Sequence, residues 1–315
     1  MQDDLRSEQI AIDLSDSDPS EWLAEIEAMG EERGYFEPLG GRHSAILTDE
    51  GTTLVVTFET IDDIRATLPD QMPMGWELVR ENGWSNLCLL AHEDSWFRDR
   101  TVFGYFDRLV EDGFFEEFER VVFYGAGMCG YAAAAFSVVA PEVTVIAVQP
   151  QATLDPTRTE WDRRFPKMRR TRFSDRYGFA PDMVEVADSV FVLYDPEITE
   201  DAMHAALFNG DNVHHIRSRW LGSDMARALW EMGVTRELVE LAADGALTET
   251  ACYTALRARR DHTTYLRRLL ARVENTERMR LVQMLSKNVL SRRRIRRFKR
   301  SLAKAEQALE ALQTP

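Results

Sequence analysis

The residues best placed to do chemistry in this 315-residue chain lie in one short stretch, Gly125-Ala-Gly127-Met128-Cys129-Gly130. An apolar run, Val121 to Tyr124, leads into it, and an alanine-rich segment from Met128 leads out and ends before Pro141. The pattern predicts a strand, a tight turn and a helix. Such a turn serves two kinds of chemistry. Glycines spaced G-x-G-x-x-G let a backbone approach a pyrophosphate at a helix N-terminus. A G-x-S-x-G elbow instead lifts a nucleophile clear of its strand, and Gly127 then stands where the serine belongs.

The strand beyond the turn separates the two. A dinucleotide site calls for an acidic residue about 20 positions on, at the end of that next strand, to hold the ribose hydroxyls. Here it spans Val143 to Val148 and runs into Gln149-Pro-Gln151, with no acid before Asp155. The dinucleotide unit also tends to open its domain, whereas at least three strands are predicted before this one. Cys129, in the first helical turn, could gain acidity from the helix dipole, but its place on the turn equally suits a small apolar packing residue.

The elements that would position the turn are legible from periodicity and punctuation. Asp18 to Met29 predicts a helix capped by Ser20, with Trp22, Ile26 and Met29 on one face. Ser44–Thr48 and Thr53–Phe58, split by Asp49-Glu-Gly51, predict a hairpin. Asn86 to Ala91 is a buried-type strand, Asp99 to Phe115 an amphipathic helix, and Asp188–Tyr194 and Val213–Arg217 further strands. After Gly222 only helices are predicted. Three parts result: an acidic N-terminal segment over 1–34, an α/β domain over 35–225 and an α-helical region over 226–315.

This order resembles bacterial α/β-hydrolase-like proteins that carry strand–G-x-S-M-G-G–helix, a following strand ending in P-Q, and a T-L-D-P segment. The matching residues are Gly125 to Gly130, Val148-Gln-Pro-Gln151 and Thr153-Leu-Asp-Pro156. The resemblance covers roughly residues 35–226. It implies a mostly parallel sheet with helices on both faces, and a triad whose acid and histidine come after the elbow. The acid slot falls on Asp195. The histidine slot, often Gly-His in the family, reads Gly222-Ser223. With glycine at 127 and serine at 223, two of three catalytic groups are absent, and a non-hydrolytic relative is expected, with a Cys129 hydrolase or acyltransferase as the alternative. A subgroup with the G-A-G-M-C-G form carries the label phosphoadenosine phosphosulfate reductase, a nucleotide-binding oxidoreductase, but the S-G-G-x-D-type loop and the C-terminal redox cysteine motif of such enzymes are missing. His204, on the helix after Asp195, could turn toward the pocket but needs no function as a helix-surface histidine, and the adjacent His214 and His215 face opposite sides of a strand, so they do not readily share a metal or act as a pair.

The pocket is expected to outlive the triad. Backbone N–H groups at Met128 and after Phe58, flanked by Gly125 and Gly130, would still meet an anion. The basic segment Arg163 to Arg172 lies in the lid position, so Arg169, Arg170 and Arg172 are candidates for a small anionic ligand. Trp161, Phe165, Phe173 and Tyr177 would dock that lid. No cofactor and no metal is expected. The net charge of −15 argues against nucleic acid as a general partner. Acid dominates the first 32 residues, and nine basic residues with no acidic one lie between Lys287 and Lys304. The helical tail is read as a surface for a protein partner or for self-association. No apolar run is long enough for a membrane span, and three scattered cysteines without a signal sequence point to the cytoplasm.

Overall fold

Strands Gly34–Leu39 (β1), His43–Thr48 (β2), Thr53–Thr60 (β3), Ser85–Ala91 (β4), Arg120–Ala126 (β5), Thr144–Val148 (β6), Ser189–Tyr194 (β7) and Val213–Arg217 (β8) form one sheet. Its order is β1-β2-β4-β3-β5-β6-β7-β8 in a computed structural model that describes residue 14, residues 18–68 and residues 70–311. The β1–β2 and β2–β4 pairs are antiparallel; every other pair is parallel. This is the α/β-hydrolase-like arrangement, with the turn-bearing β5 near the middle of the sheet. The hairpin expected from β2 and β3 does not form. Strand β4 lies between them, and β2 pairs instead with β1, whose Pro38 and polar residues hide its strand pattern.

Alternation along the strands explains the two layers of helices. From β4, Leu87, Leu89 and Ala91 join one core while Cys88 and Leu90 join another; β2 divides its Ala45, Leu47 and Ile46 in the same way. The first core holds helices Arg100–Glu111 (α4) and Met128–Phe136 (α5), with stacked Phe58, Phe106 and Phe136. The second holds Pro19–Arg33 (α1), through Trp22, Ile26 and Met29, with Ile64 of Ile61–Thr67 (α2) and Trp76 of Met74–Asn82 (α3). Asp18, not Ser20, caps α1: its carboxylate accepts the N–H groups of Ser20 and Glu21, and the Glu21 side chain closes a capping box.

Past β7 come Thr199–Ala205 (α6) and, past β8, Met225–Glu231 (α7), Val234–Ala243 (α8) and Glu249–Ala255 (α9). The chain divides into two compact units at 255/256, thirty residues beyond the boundary expected from composition. The reason is packing. Helix α8 lies against β5 and α9 against β8, the Tyr253 hydroxyl accepts the Arg217 N–H at 3.1 Å, and Arg236 pairs with Glu77 and Glu81 of α3.

The second unit is helical: Thr263–Asn275 (α10), Met279–Leu290 (α11) and Arg296–Ala311 (α12). Leu266, Leu270, Val282, Val289, Phe298 and Ala305 form its buried side, spaced as amphipathic helices require. Among the described residues no helix is long and apolar enough to cross a membrane.

Candidate functional site

Strand β5 turns sharply into α5 at Gly127, a position that carries no side chain. Gly127 sits at φ +58° and ψ −123°, a left-handed conformation that costs an L side chain strain. Its N–H donates to the Val148 carbonyl at 2.8 Å, and its own carbonyl accepts the Tyr131 N–H at 3.0 Å, so strand and helix lock on both sides. A Cβ added at Gly127 would meet no atom within 4 Å, because the position opens on a cavity. The flanking glycines do something else. A Cβ at Gly125 would collide with the Cys129 carbonyl, and one at Gly130 would press on the Val148 and Gly125 carbonyls at 3.0 and 3.1 Å. They permit the close crossing of helix and strand, and neither needs a ligand to explain it.

Asp195, the expected acid, closes β7 and is 1% exposed. One of its carboxylate oxygens accepts the Glu197 N–H at 3.0 Å and the other the Gly222 N–H at 2.8 Å. It therefore ties the end of β7 to the loop after β8, the loop that carries Ser223. Ser223 itself lines the cavity. Cys129 also lines it but is 3% exposed, and burial, followed by the charges of Asp63 and Glu59, pushes its thiol well above the ordinary range. The helix dipole does not prevail against that desolvation.

The cavity has a volume of about 590 Å³. Its floor is Phe58, Tyr124, Gly127 and Cys129; its walls include Ile64, Leu68, Met74, Phe165 and Trp230. Its charged lining consists of Glu59, Asp63, Asp201 and Asp224 against Arg164 and Arg227. Arg169, Arg170 and Arg172 are exposed and do not line it; Arg169 borders a separate depression with Trp161 and Arg163. The lid aromatics dock as expected: Trp161 on His204, Phe165 on Trp96, Phe173 on Tyr131 and Tyr177 on Phe136.

The sequence reading missed a polar network along one wall. Arg164 donates to Asp162 at 2.8 Å and to Asp201 at 2.6 Å, while Gln149 donates to the other Asp201 oxygen at 2.6 Å. Gln151 bonds the Gln149 carbonyl and accepts from the Trp96 indole. His204 is not a surface residue. It is fully buried, its Nδ1 accepts the Ala152 N–H at 3.1 Å, and its Nε2 therefore donates to Asp162 at 3.0 Å. Both ring nitrogens are engaged, so this imidazole is not free to act as a base. Burial alone would raise Asp162, but the bonds from His204 and Arg164 outweigh it and hold the carboxyl well below the usual range. Gln149 has φ +47°, unusual for a residue with a Cβ, and this turns its side chain along the cavity wall. The one sequence signal for this wall was the polar pair Gln149 and Gln151 directly after an apolar strand.

Glu59, at the end of β3, is a buried carboxyl that lines the cavity, as Asp201 is. Burial raises it, although the Met74 N–H at 2.9 Å and the Thr57 hydroxyl at 2.8 Å oppose the shift. Among the described residues no group of three or more His, Cys, Asp or Glu side chains could hold a metal ion.

No protein-family model and no curated protein sequence matches the chain. Solved structures similar in fold include a thermostable carboxylesterase from a metagenomic library, at 12% identity over 77% of this chain and 98% of that one, TM-score 0.38. An esterase of Pyrobaculum calidifontis matches at 12% identity over 77% and 95%, TM-score 0.42. A capsule O-acetyltransferase of Neisseria meningitidis serogroup A matches at 10% identity over 58% and 85%, TM-score 0.38. The strand order, with β5 and its glycine turn near the middle of the sheet, makes this chain α/β-hydrolase-like.

Proposed function

We propose that this α/β-hydrolase-like protein binds a small ligand in the elbow cavity and does not hydrolyse it. The observation that carries the reading is Gly127: the backbone of a nucleophile position is kept, the space for a side chain is open, and no side chain is there. Serine at 223 leaves the same corner without an imidazole, and His204 is engaged on both nitrogens. Loss of nucleophile or base from such a triad removes several orders of magnitude in rate. An apolar floor with a few polar groups at its wall suits a small, largely uncharged ligand. Four lining carboxylates against two guanidiniums make it a poor host for a polyanion such as an adenosine phosphosulfate, so the anionic ligand expected from the basic lid is not retained. Glycines 125 and 130 already have a packing role, which removes the motif support for a nucleotide-binding oxidoreductase.

A second reading, a hydrolase or acyltransferase using Cys129, is favoured by one observation: the thiol borders the cavity in the first turn of α5. Phenyl butyrate separates the two. The binding reading expects a raised melting temperature with added ester, lost in Ala226→Trp, which fills the cavity mouth, and phenol release no faster than in buffer. Phenol release abolished by Cys129→Ala would establish the second reading instead.

A further inference from the structure

The two units differ sharply in charge. Residues 256–315 contain 17 Lys and Arg against five Asp and Glu, a formal +12, whereas residues 1–255 carry −27. Part of the excess is neutralised locally: Arg292 pairs with Asp261, Arg297 with Glu274 and Lys287 with Glu306. The first three turns of α12 are different. Arg296, Lys299, Arg300 and Lys304 fall at i, i+3, i+4 and i+8, so they share one face. All four are exposed, and none makes an ion pair among the described residues. The buried face of the same helix is Phe298, Ser301 and Ala305. The stripe runs about 12 Å along the axis at 1.5 Å per residue.

A second observation lies on α11. Leu281 and Met284 are 40% and 66% exposed, one turn apart, with Arg280 and Lys287 on either side of them in the sequence. A unit with four cations on α12 and exposed aliphatic tips on the α11 packed against it matches an anionic bilayer surface, where ammonium and guanidinium groups meet headgroups and apolar tips enter the acyl boundary. A phosphodiester strand would use the cations but not the aliphatic pair. The aromatics that could stack bases, Tyr265 and Phe298, are buried.

From these two observations we infer that the C-terminal helical unit docks peripherally on an anionic lipid surface, through Arg296, Lys299, Arg300 and Lys304 with Leu281 and Met284. The contact is reversible, because four cations and two aliphatic tips fall far short of a spanning helix.

Vesicle co-sedimentation of the full chain tests it. The protein is expected to pellet with phosphatidylcholine vesicles containing about one-third phosphatidylserine, to stay in solution with phosphatidylcholine alone, and to be released by raised salt. Replacing all four cations by alanine should weaken partitioning by about six-hundredfold, since each lysine or arginine near the surface contributes about fivefold. Leu281→Gln with Met284→Gln should weaken it several-fold while the salt dependence persists. All six side chains are exposed, so far-UV circular dichroism should stay unchanged and exclude misfolding. Equal pelleting of the four-alanine variant would overturn the proposal. So would failure to pellet while a short RNA or DNA duplex binds in a stripe-dependent way, which would make nucleic acid the partner.

Discussion

Gly125 and Gly127 are two residues apart and differ in what surrounds them, one packed against a backbone and one opening on a cavity. Gly125→Ala forces a Cβ into the Cys129 carbonyl and is expected to cost about 3 kcal/mol or more, as overpacking against rigid backbone does. Gly127→Ser meets no neighbour and should cost only the strain of its left-handed backbone, about 1–3 kcal/mol. Urea denaturation of both variants checks the contrast; equal costs would contradict the elbow geometry. Two buried carboxyls, Glu59 on the cavity lining and Asp162 beneath Arg164, titrate in opposite senses. Glu59 is raised, so its contribution to stability is present below the unfolded value of about 4.3 and is lost as pH rises through the folded value. Glu59→Gln, which still accepts the Met74 N–H, should therefore gain stability relative to wild type between mildly acidic and neutral pH. Asp162 is depressed, so its contribution is present above about 3.9 and is lost as pH falls toward the folded value. Asp162→Asn should be destabilised at neutral pH, with the deficit shrinking in acid. Urea midpoints measured across pH for both variants test the signs.

Between elements, the lid and α6 are joined by Arg164, which bridges the buried Asp162 and Asp201 while about one-third of its side chain stays open, and Gln149 ties the end of β6 to the same Asp201. Arg164→Ala removes the counter-charge of two buried carboxylates, which keep the bonds from His204 and Gln149, and is expected to cost about 3 kcal/mol, the lower end for a broken buried pair because of that exposure. Chemical denaturation measures it, and a loss under about 1 kcal/mol would show that the bridge does not hold the lid. This network also marks the limit of what the chain discloses in one dimension. The β-branched runs at β5 to β7 and the glycine turn were legible because their periods are local. The β2–β3 hairpin was misjudged because β4, thirty residues on, inserts between them, and pairing partners leave no local trace. His204 looked like a surface residue because its helix has only seven residues, too few for a clear polar face, and its partners lie 42 and 52 positions away. Arg164 was indistinguishable from the solvated arginines around it for the same reason.

At the scale of the whole molecule, the boundary at 255/256 makes a truncation prediction. A chain ending at 255 should unfold cooperatively, because α8 and α9 cover β5 and β8. One ending at 225 would expose Val122 and Tyr124 on the face that α8 covers, and it should aggregate; thermal melts and size-exclusion chromatography of the two distinguish them. The measurement that bears most directly on the central claim is the intact mass of the full chain after mixing with p-nitrophenyl butyrate. An empty elbow and a thiol held protonated by burial predict no butyryl adduct on the wild-type protein and no nitrophenolate release above the buffer rate. A butyryl adduct mapped to Cys129, with ester turnover that Cys129→Ala abolishes, would contradict it.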